Sequence, residues 1–265
     1  MADDAAAAGD SSAPPADAPV VLKLGGSLIT EKDSPETLDE PALDAACDAV
    51  AGALADGAVD RLVVVHGGGS FGHHHASAHG VSTTAGTHDA AAVADIHGGM
   101  KRLNAHVLER LRERGVPAVP VHPLSAGARD AEGELTLPLE ATATLLGEGF
   151  VPVLHGDGIA TVGEGVTVLS GDEIVVSLAE GLAADRVGVC STVPGVLDAD
   201  DAVIPAIDDF DAVADLLGAS DATDVSGGMA AKVRELLALD PPAFVFGPDE
   251  LSAFLSGGDP GTRIE

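Results

Sequence analysis

The chain carries only four lysines, at positions 23, 32, 101 and 232, and three of them lie in or just beyond glycine-rich runs of small residues. Lys23 stands in Val20-Val21-Leu22-Lys23-Leu24-Gly25-Gly26-Ser27, Lys32 follows nine residues later, and Lys232 ends Ser226-Gly227-Gly228-Met229-Ala230-Ala231-Lys232. In a chain with 43 acidic side chains against 13 basic ones, lysines kept in such places point to work there. An ammonium beside backbone N–H groups that no Cβ shields suits anionic oxygens, above all those of phosphate. Two further runs share this character, His66-Gly67-Gly68-Gly69-Ser70-Phe71-Gly72-His73 and His155-Gly156-Asp157-Gly158. One glycine pair means little, because it often makes only a tight turn. Several, each closing an apolar segment, predict a site for more than one phosphate.

Short Val- and Leu-rich runs alternate with longer Ala-rich segments, the pattern of a largely parallel sheet covered by helices. Strands are predicted over 20–24, 61–66, 118–121, 151–154, 186–190 and 243–246. Helices are predicted over 40–55, 89–114, 139–146, 172–183, 210–217, 228–239 and 249–255. Residues 159–168 read as a β-hairpin turning at Gly163-Glu164-Gly165. This α/β arrangement places ligand loops at the carboxyl ends of strands. Residues 1–19, rich in Ala, Asp, Ser, Gly and Pro, read as a disordered acidic leader, and 20–265 as one domain without an internal linker.

A net charge of −30 would drive self-repulsion in dilute buffer. Molar salt shrinks the Debye length to about 3 Å, so the acidity reads as adaptation to a salt-filled cytoplasm. Nucleic acid is excluded as a partner, because no clustered basic face is available. Trp and Tyr are absent and six Phe remain, so Ala, Val and Leu must fill the core. Cys47 and Cys190, 143 positions apart and outside any CxxC, are expected to be free buried thiols. No signal-peptide pattern and no apolar run near the roughly 20 residues of a membrane span is present. The expectation is a cytoplasmic protein with no membrane partner.

Gly67-x-Gly69-x-x-Gly72 formally matches the dinucleotide fingerprint, but a nicotinamide cofactor leaves Lys23, Lys32 and Lys232 unexplained. His73-His74-His75, with His79 nearby, cannot all face one ion and no Cys joins them, so no protein metal site is expected. His66 and His155 close strands and read equally as structural residues or ligands. Lys101, Arg102, Arg110, Arg112 and Arg114 fall on the long predicted helix, where pairing with carboxylates is the default.

Taken together, Lys23-Leu24-Gly25-Gly26-Ser27, His66-Gly67-Gly68-Gly69, Ser170-Gly171-Asp172 and Asp224-Val225-Ser226-Gly227-Gly228-Met229 with Lys232 resemble the amino acid kinase superfamily. Gly69-Ser70-Phe71-Gly72-His73, with Lys32, is similar within it to the isopentenyl phosphate kinases. The resemblance implies a three-layer α/β/α sandwich with a largely parallel sheet, and ATP-dependent phosphorylation of isopentenyl phosphate to isopentenyl diphosphate for isoprenoid synthesis. It implies Mg²⁺ carried by ATP, and a homodimer. By the same resemblance Lys23 and Lys32 contact the transferring phosphoryl group, Asp172 organises these two lysines, and His73 hydrogen-bonds the acceptor phosphate. Gly25, Gly26, Ser27, Gly69, Gly227 and Lys232 hold ATP, while Gly68, Gly156 and Gly171 lie at the acceptor. The alternatives are a superfamily member using a carboxylate, carbamate or phosphonate acceptor, or a nucleotide sensor of the same fold without turnover. Ser191-Thr192-Val193-Pro194-Gly195-Val196 lacks the aspartate that related kinases often carry after the threonine, which puts the base or ribose contacts of this loop in doubt.

Overall fold

The apolar run Val20–Leu24 (β1) pairs in parallel with Leu62–His66 (β2) on one side and Arg186–Cys190 (β9) on the other. Such runs suit a strand buried on both faces, where every side chain meets a covering layer. In the computed structural model, which describes residues 18–214, 217 and 228–265, these strands form the centre of an eight-stranded sheet. Its order is Ala206–Ile207 (β10), Thr262–Ile264 (β12), Ala243–Phe246 (β11), β9, β1, β2, Val151–His155 (β6), Ala118–Pro120 (β3), and only the β11–β12 pair is antiparallel. A four-stranded sheet flanks it, in the order Leu135–Thr136 (β5), Ala128–Arg129 (β4), Asp157–Thr161 (β7), Gly165–Leu169 (β8). The β7–β8 pair is the hairpin expected from the sequence.

Alternation along the strands divides the core in two. Leu22, Leu24, Val64 and Val153 face one layer, made by Glu40–Ala55 (α2), Ala90–Glu113 (α4) and Leu251–Leu255 (α8). Val21, Val63, Val65 and Leu154 face the other, made by Glu140–Gly147 (α5), Gly171–Gly181 (α6) and Gly228–Leu237 (α7). The expected three-layer α/β/α sandwich is what forms. Cys47 and Cys190 are free and buried, and burial pushes both thiols up to about 12.

Two helices near the carboxyl edge were not read from sequence, Gly26–Ile29 (α1) and Gly69–Ala78 (α3). In α3, glycines and histidines of low helix propensity are held by packing, because Phe71 and Ala76 are buried. The helix expected over 210–217 and the leader expected over 1–19 fall partly outside the described residues, and the 224–227 part of the Lys232 segment lies wholly outside them.

Candidate active site

Strands β1, β2 and β6 are neighbours in register, with Leu24 opposite His66 and His66 opposite His155. Their three glycine runs therefore emerge at one sheet edge, around a cavity of about 510 Å³. Its centre is formed by Lys23, Gly25, Gly26, Ser27, Gly171 and Asp172. On the β9 side lie Ser191, Thr192 and Lys232, and on the β2–β6 side Gly67, Gly68, His73, Gly156 and Asp157. Ala76, Val81, Ile96, Met100 and Val168 add apolar wall, alongside the hydroxyl side chains of Ser77, Ser82 and Thr83. Lys32 also lines the cavity, and it and His73 are exposed at the mouth, whereas Lys23 is only 6% exposed.

The polar centre is a buried charge cluster. Lys23 Nζ lies 2.6 Å from Asp172 Oδ2, and Lys232 Nζ lies 3.9 Å from Asp172 Oδ1. Burial pushes Lys23 below its ordinary value and the Lys232 charge adds to this, against the opposing pull of Asp172. Burial pushes the Asp172 carboxyl up, but Lys23 and Lys232 outweigh it and hold that carboxyl below the usual range. Asp172 is fixed by α6, whose N-terminus carries a reciprocal cap. Ser170 Oγ accepts from Glu173 N at 3.1 Å, and Glu173 Oε2 accepts from Ser170 N at 2.9 Å. Asp172 thus pairs with Lys23 and has Lys232 as its second ammonium neighbour. Lys32, expected as the second, belongs to the turn between α1 and α2 and has no ion pair with Asp172 among the described contacts.

The glycines divide into those that face the cavity and those that let the loops cross. A Cβ on Gly26 would lie 2.2 Å from Gly69 N, and one on Gly69 would lie 2.2 Å from Thr30 Oγ1. Gly69, at φ +48°, does not line the cavity. Here α1 and α3 meet backbone to backbone. Gly25, Gly26, Gly68, Gly156 and Gly171 do reach the cavity, whereas Gly227 lies outside the described residues.

Several contacts around the site join residues far apart in the chain. Asp157, fully buried, receives His97 Nδ1 from α4 at 2.9 Å. Glu36, in the turn that carries Lys32, binds His75 Nε2 of α3 at 2.5 Å and Arg102 of α4, which ties that turn onto both helices. Glu235 of α7 stands near the lysine cluster, and burial, reinforced by Asp172 and Glu173, raises its carboxyl to about 7. No spacing rule links residues so far apart in the chain. The basic face of α4 behaves as expected, with Arg110 on Glu40 and Asp44, and Arg114 on Asp44 and Asp48. His79 pairs with Asp95 at 2.9 Å.

The model of the amino acid kinase family matches residues 18–239. An isopentenyl phosphate kinase of Haloferax volcanii, a halophile, is 67% identical over 92% of this chain and 98% of its own length. One from Methanothermobacter thermautotrophicus is 33% identical over 83% of this chain and 86% of its own. A solved structure of an isopentenyl phosphate kinase superposes with a TM-score of 0.79 at 27% identity, covering 93% of this chain and all of that one. With these matches spanning the very strands, loops and helices that build the cavity, the chain belongs to the amino acid kinase family and, within it, to the isopentenyl phosphate kinases.

Proposed function

We propose that the chain transfers the γ-phosphoryl group of ATP to isopentenyl phosphate, giving isopentenyl diphosphate and ADP for isoprenoid synthesis. The observation that carries this reading is that one cavity combines a lysine–aspartate cluster, glycine loops and apolar wall residues. Ser191 and Thr192 follow β9, Lys23 lies on β1 beside Asp172, Gly68 follows β2 and Gly156 follows β6, strands that are neighbours in that order, and Ala76, Val81, Ile96, Met100 and Val168 line the same cavity. A phosphate bearing a short hydrocarbon matches that combination of polar and apolar lining. A carboxylate, carbamate or phosphonate acceptor has no comparable apolar part to place against Ile96 and Met100. A sensor without turnover would not need Lys23, Lys32, Asp172 and Lys232 all kept around one space.

In this reading an oxygen of the acceptor phosphate attacks the γ-phosphorus, a new P–O bond forms, and the bond to the β-phosphate oxygen breaks to release ADP. The acceptor is already ionised near neutral pH, so no protein base is needed, and the work is alignment and charge neutralisation. Lys23 and Lys32 neutralise the transferring group, Lys32 chiefly in the transition state, while Gly25, Gly26, Ser27 and Lys232 hold the nucleotide. His73 donates to the acceptor phosphate, and Gly68, Gly156 and Gly171 leave room for its oxygens. The nucleotide substrate is Mg·ATP. In this reading the ion is held by the phosphates and water.

We place the enzyme in the cytoplasm as a homodimer, which sedimentation would test. No described helix is long and apolar enough to cross a membrane. The reaction is tested by ³¹P NMR of isopentenyl phosphate with Mg·ATP in molar KCl. The monoester resonance should give way to the two coupled resonances of a diphosphate, with ADP in equal amount. ADP without a new diphosphate would mean a different acceptor.

A further inference from the structure

Beneath the acceptor side of the cavity lie two histidines that the transfer chemistry does not use. His66 ends β2 and His155 ends β6, both fully buried, with their rings stacked at 5.4 Å between centroids. Each Nδ1 sits against the carbonyl oxygen of the following glycine, His66 on Gly67 at 3.0 Å and His155 on Gly156 at 2.8 Å. A carbonyl oxygen only accepts, so in both rings Nδ1 carries the hydrogen. Burial pushes the two imidazoles down to about 4 and about 3, so both are neutral at neutral pH. Nε2 of His155 is then an acceptor and meets His122 Nδ1 at 2.8 Å. Nε2 of His66 makes no hydrogen bond.

Burying two imidazoles, one with an unsatisfied nitrogen, costs free energy that an apolar pair would not. The peptide geometry supplies a reason to keep them. In a trans peptide the C=O and the next N–H point in opposite directions, and no cis bond occurs among the described residues. Drawing the Gly67 carbonyl onto His66 turns the Gly68 N–H the other way, to the cavity that Gly68 lines. Gly156 N donates to the His66 carbonyl at 3.0 Å, which ties the two loops together.

We propose that His66 and His155 are positioning residues whose Nδ1–H groups lock the glycine peptides of β2 and β6, so that the Gly68 N–H is aimed at the acceptor phosphate. This rests on the phosphoryl-transfer reading, because it is that phosphate which the N–H would meet.

The test compares His66→Asn with His66→Gln in the full chain. The Asn amide nitrogen reaches about where Nδ1 stands, and the Gln amide nitrogen about where Nε2 stands. Misaiming one N–H that serves a charged oxygen should raise the acceptor KM of H66Q about tenfold, while the ATP KM changes little and H66N stays near wild type. If histidine serves only to fill space, Gln, the better match in volume, would be the milder change, and that order overturns the proposal. Should either variant fail to fold, ¹⁵N-histidine NMR of the wild-type protein decides. Nδ1–H tautomers at both residues are expected, and an Nε2–H tautomer at His66 overturns the proposal. Absence of wild-type turnover with isopentenyl phosphate would instead remove the substrate reading, a result separable from either.

Discussion

Replacing Asp172 by Asn removes the counter-charge at the centre of the cavity and leaves two ammoniums facing each other. At an effective dielectric of about 20, the 2.6 Å contact with Lys23 is an attraction of about 6 kcal/mol and the 3.9 Å contact with Lys232 one of about 4 kcal/mol. Desolvation costs several kcal/mol per ion, so the net loss on removing one partner is about 3–5 kcal/mol. The side chains of Lys23 and Asp172 are only 7% and 15% exposed, so molar KCl screens this pair less than a surface pair. D172N should therefore unfold roughly 10 °C below wild type when free of ligand. Adding ATP should recover more of that difference than it adds to wild type, because phosphate oxygens supply the missing negative charge. Turnover should fall by roughly a hundredfold, the scale for losing electrostatic preorganisation. The pH sign follows from Lys23, whose ammonium already lies below its ordinary value of 10.5. Without Asp172 it falls further, so the alkaline limb of kcat moves to lower pH. Scanning calorimetry with and without ATP, and kcat across pH, are the assays. An unchanged melting temperature with an unshifted alkaline limb would refute the reasoning.

Three further outcomes are expected. His73→Ala should raise the acceptor KM by about tenfold or more, the value of a hydrogen bond to a charged group, and leave the ATP KM nearly unchanged; equal effects on both substrates would remove His73 from the acceptor. Gly26→Ala drives a Cβ to 2.2 Å from Gly69 N, a backbone atom that cannot rotate away, so it should cost about 1–3 kcal/mol or more by chemical denaturation, and wild-type stability would contradict the loop crossing. Glu235 carries a folded value of about 7 against an ordinary 4.5, so its contribution to stability is full below about 4.5 and is lost as pH rises through about 7. The Tm of E235Q relative to wild type should rise across that window, and a difference that stays flat would contradict it.

The sheet was legible because its central strands are buried on both faces. The apolar runs at 20–24, 186–190 and 243–246 coincide with β1, β9 and β11. The short strands β4, β5, β10 and β12 span two or three residues and offer no period to read. Helix α3 stayed hidden because glycine and histidine propensity points away from the helix that tertiary packing imposes. At the site, residue type was informative where one chemical group does the work, as with Lys23, Asp172 and Lys232. It could not separate Gly68, which lines the cavity, from its neighbour Gly69, which does not, since only the crossing of two backbones distinguishes them. Nor could it tell which lysine Asp172 would meet, or join His97 to Asp157 across 60 residues. The apolar wall of the cavity draws Ile96 and Met100 from one helix and Val168 from a distant hairpin, so composition alone left acceptor size open.

The most direct measurement is ADP release by the full chain in molar KCl with Mg·ATP, comparing isopentenyl phosphate with carbamate, glutamate, acetylglutamate and fosfomycin. Turnover is predicted with isopentenyl phosphate and not with the others. Silence with isopentenyl phosphate beside turnover with any of the other acceptors would contradict the assignment of the apolar wall of this cavity to an isopentenyl chain.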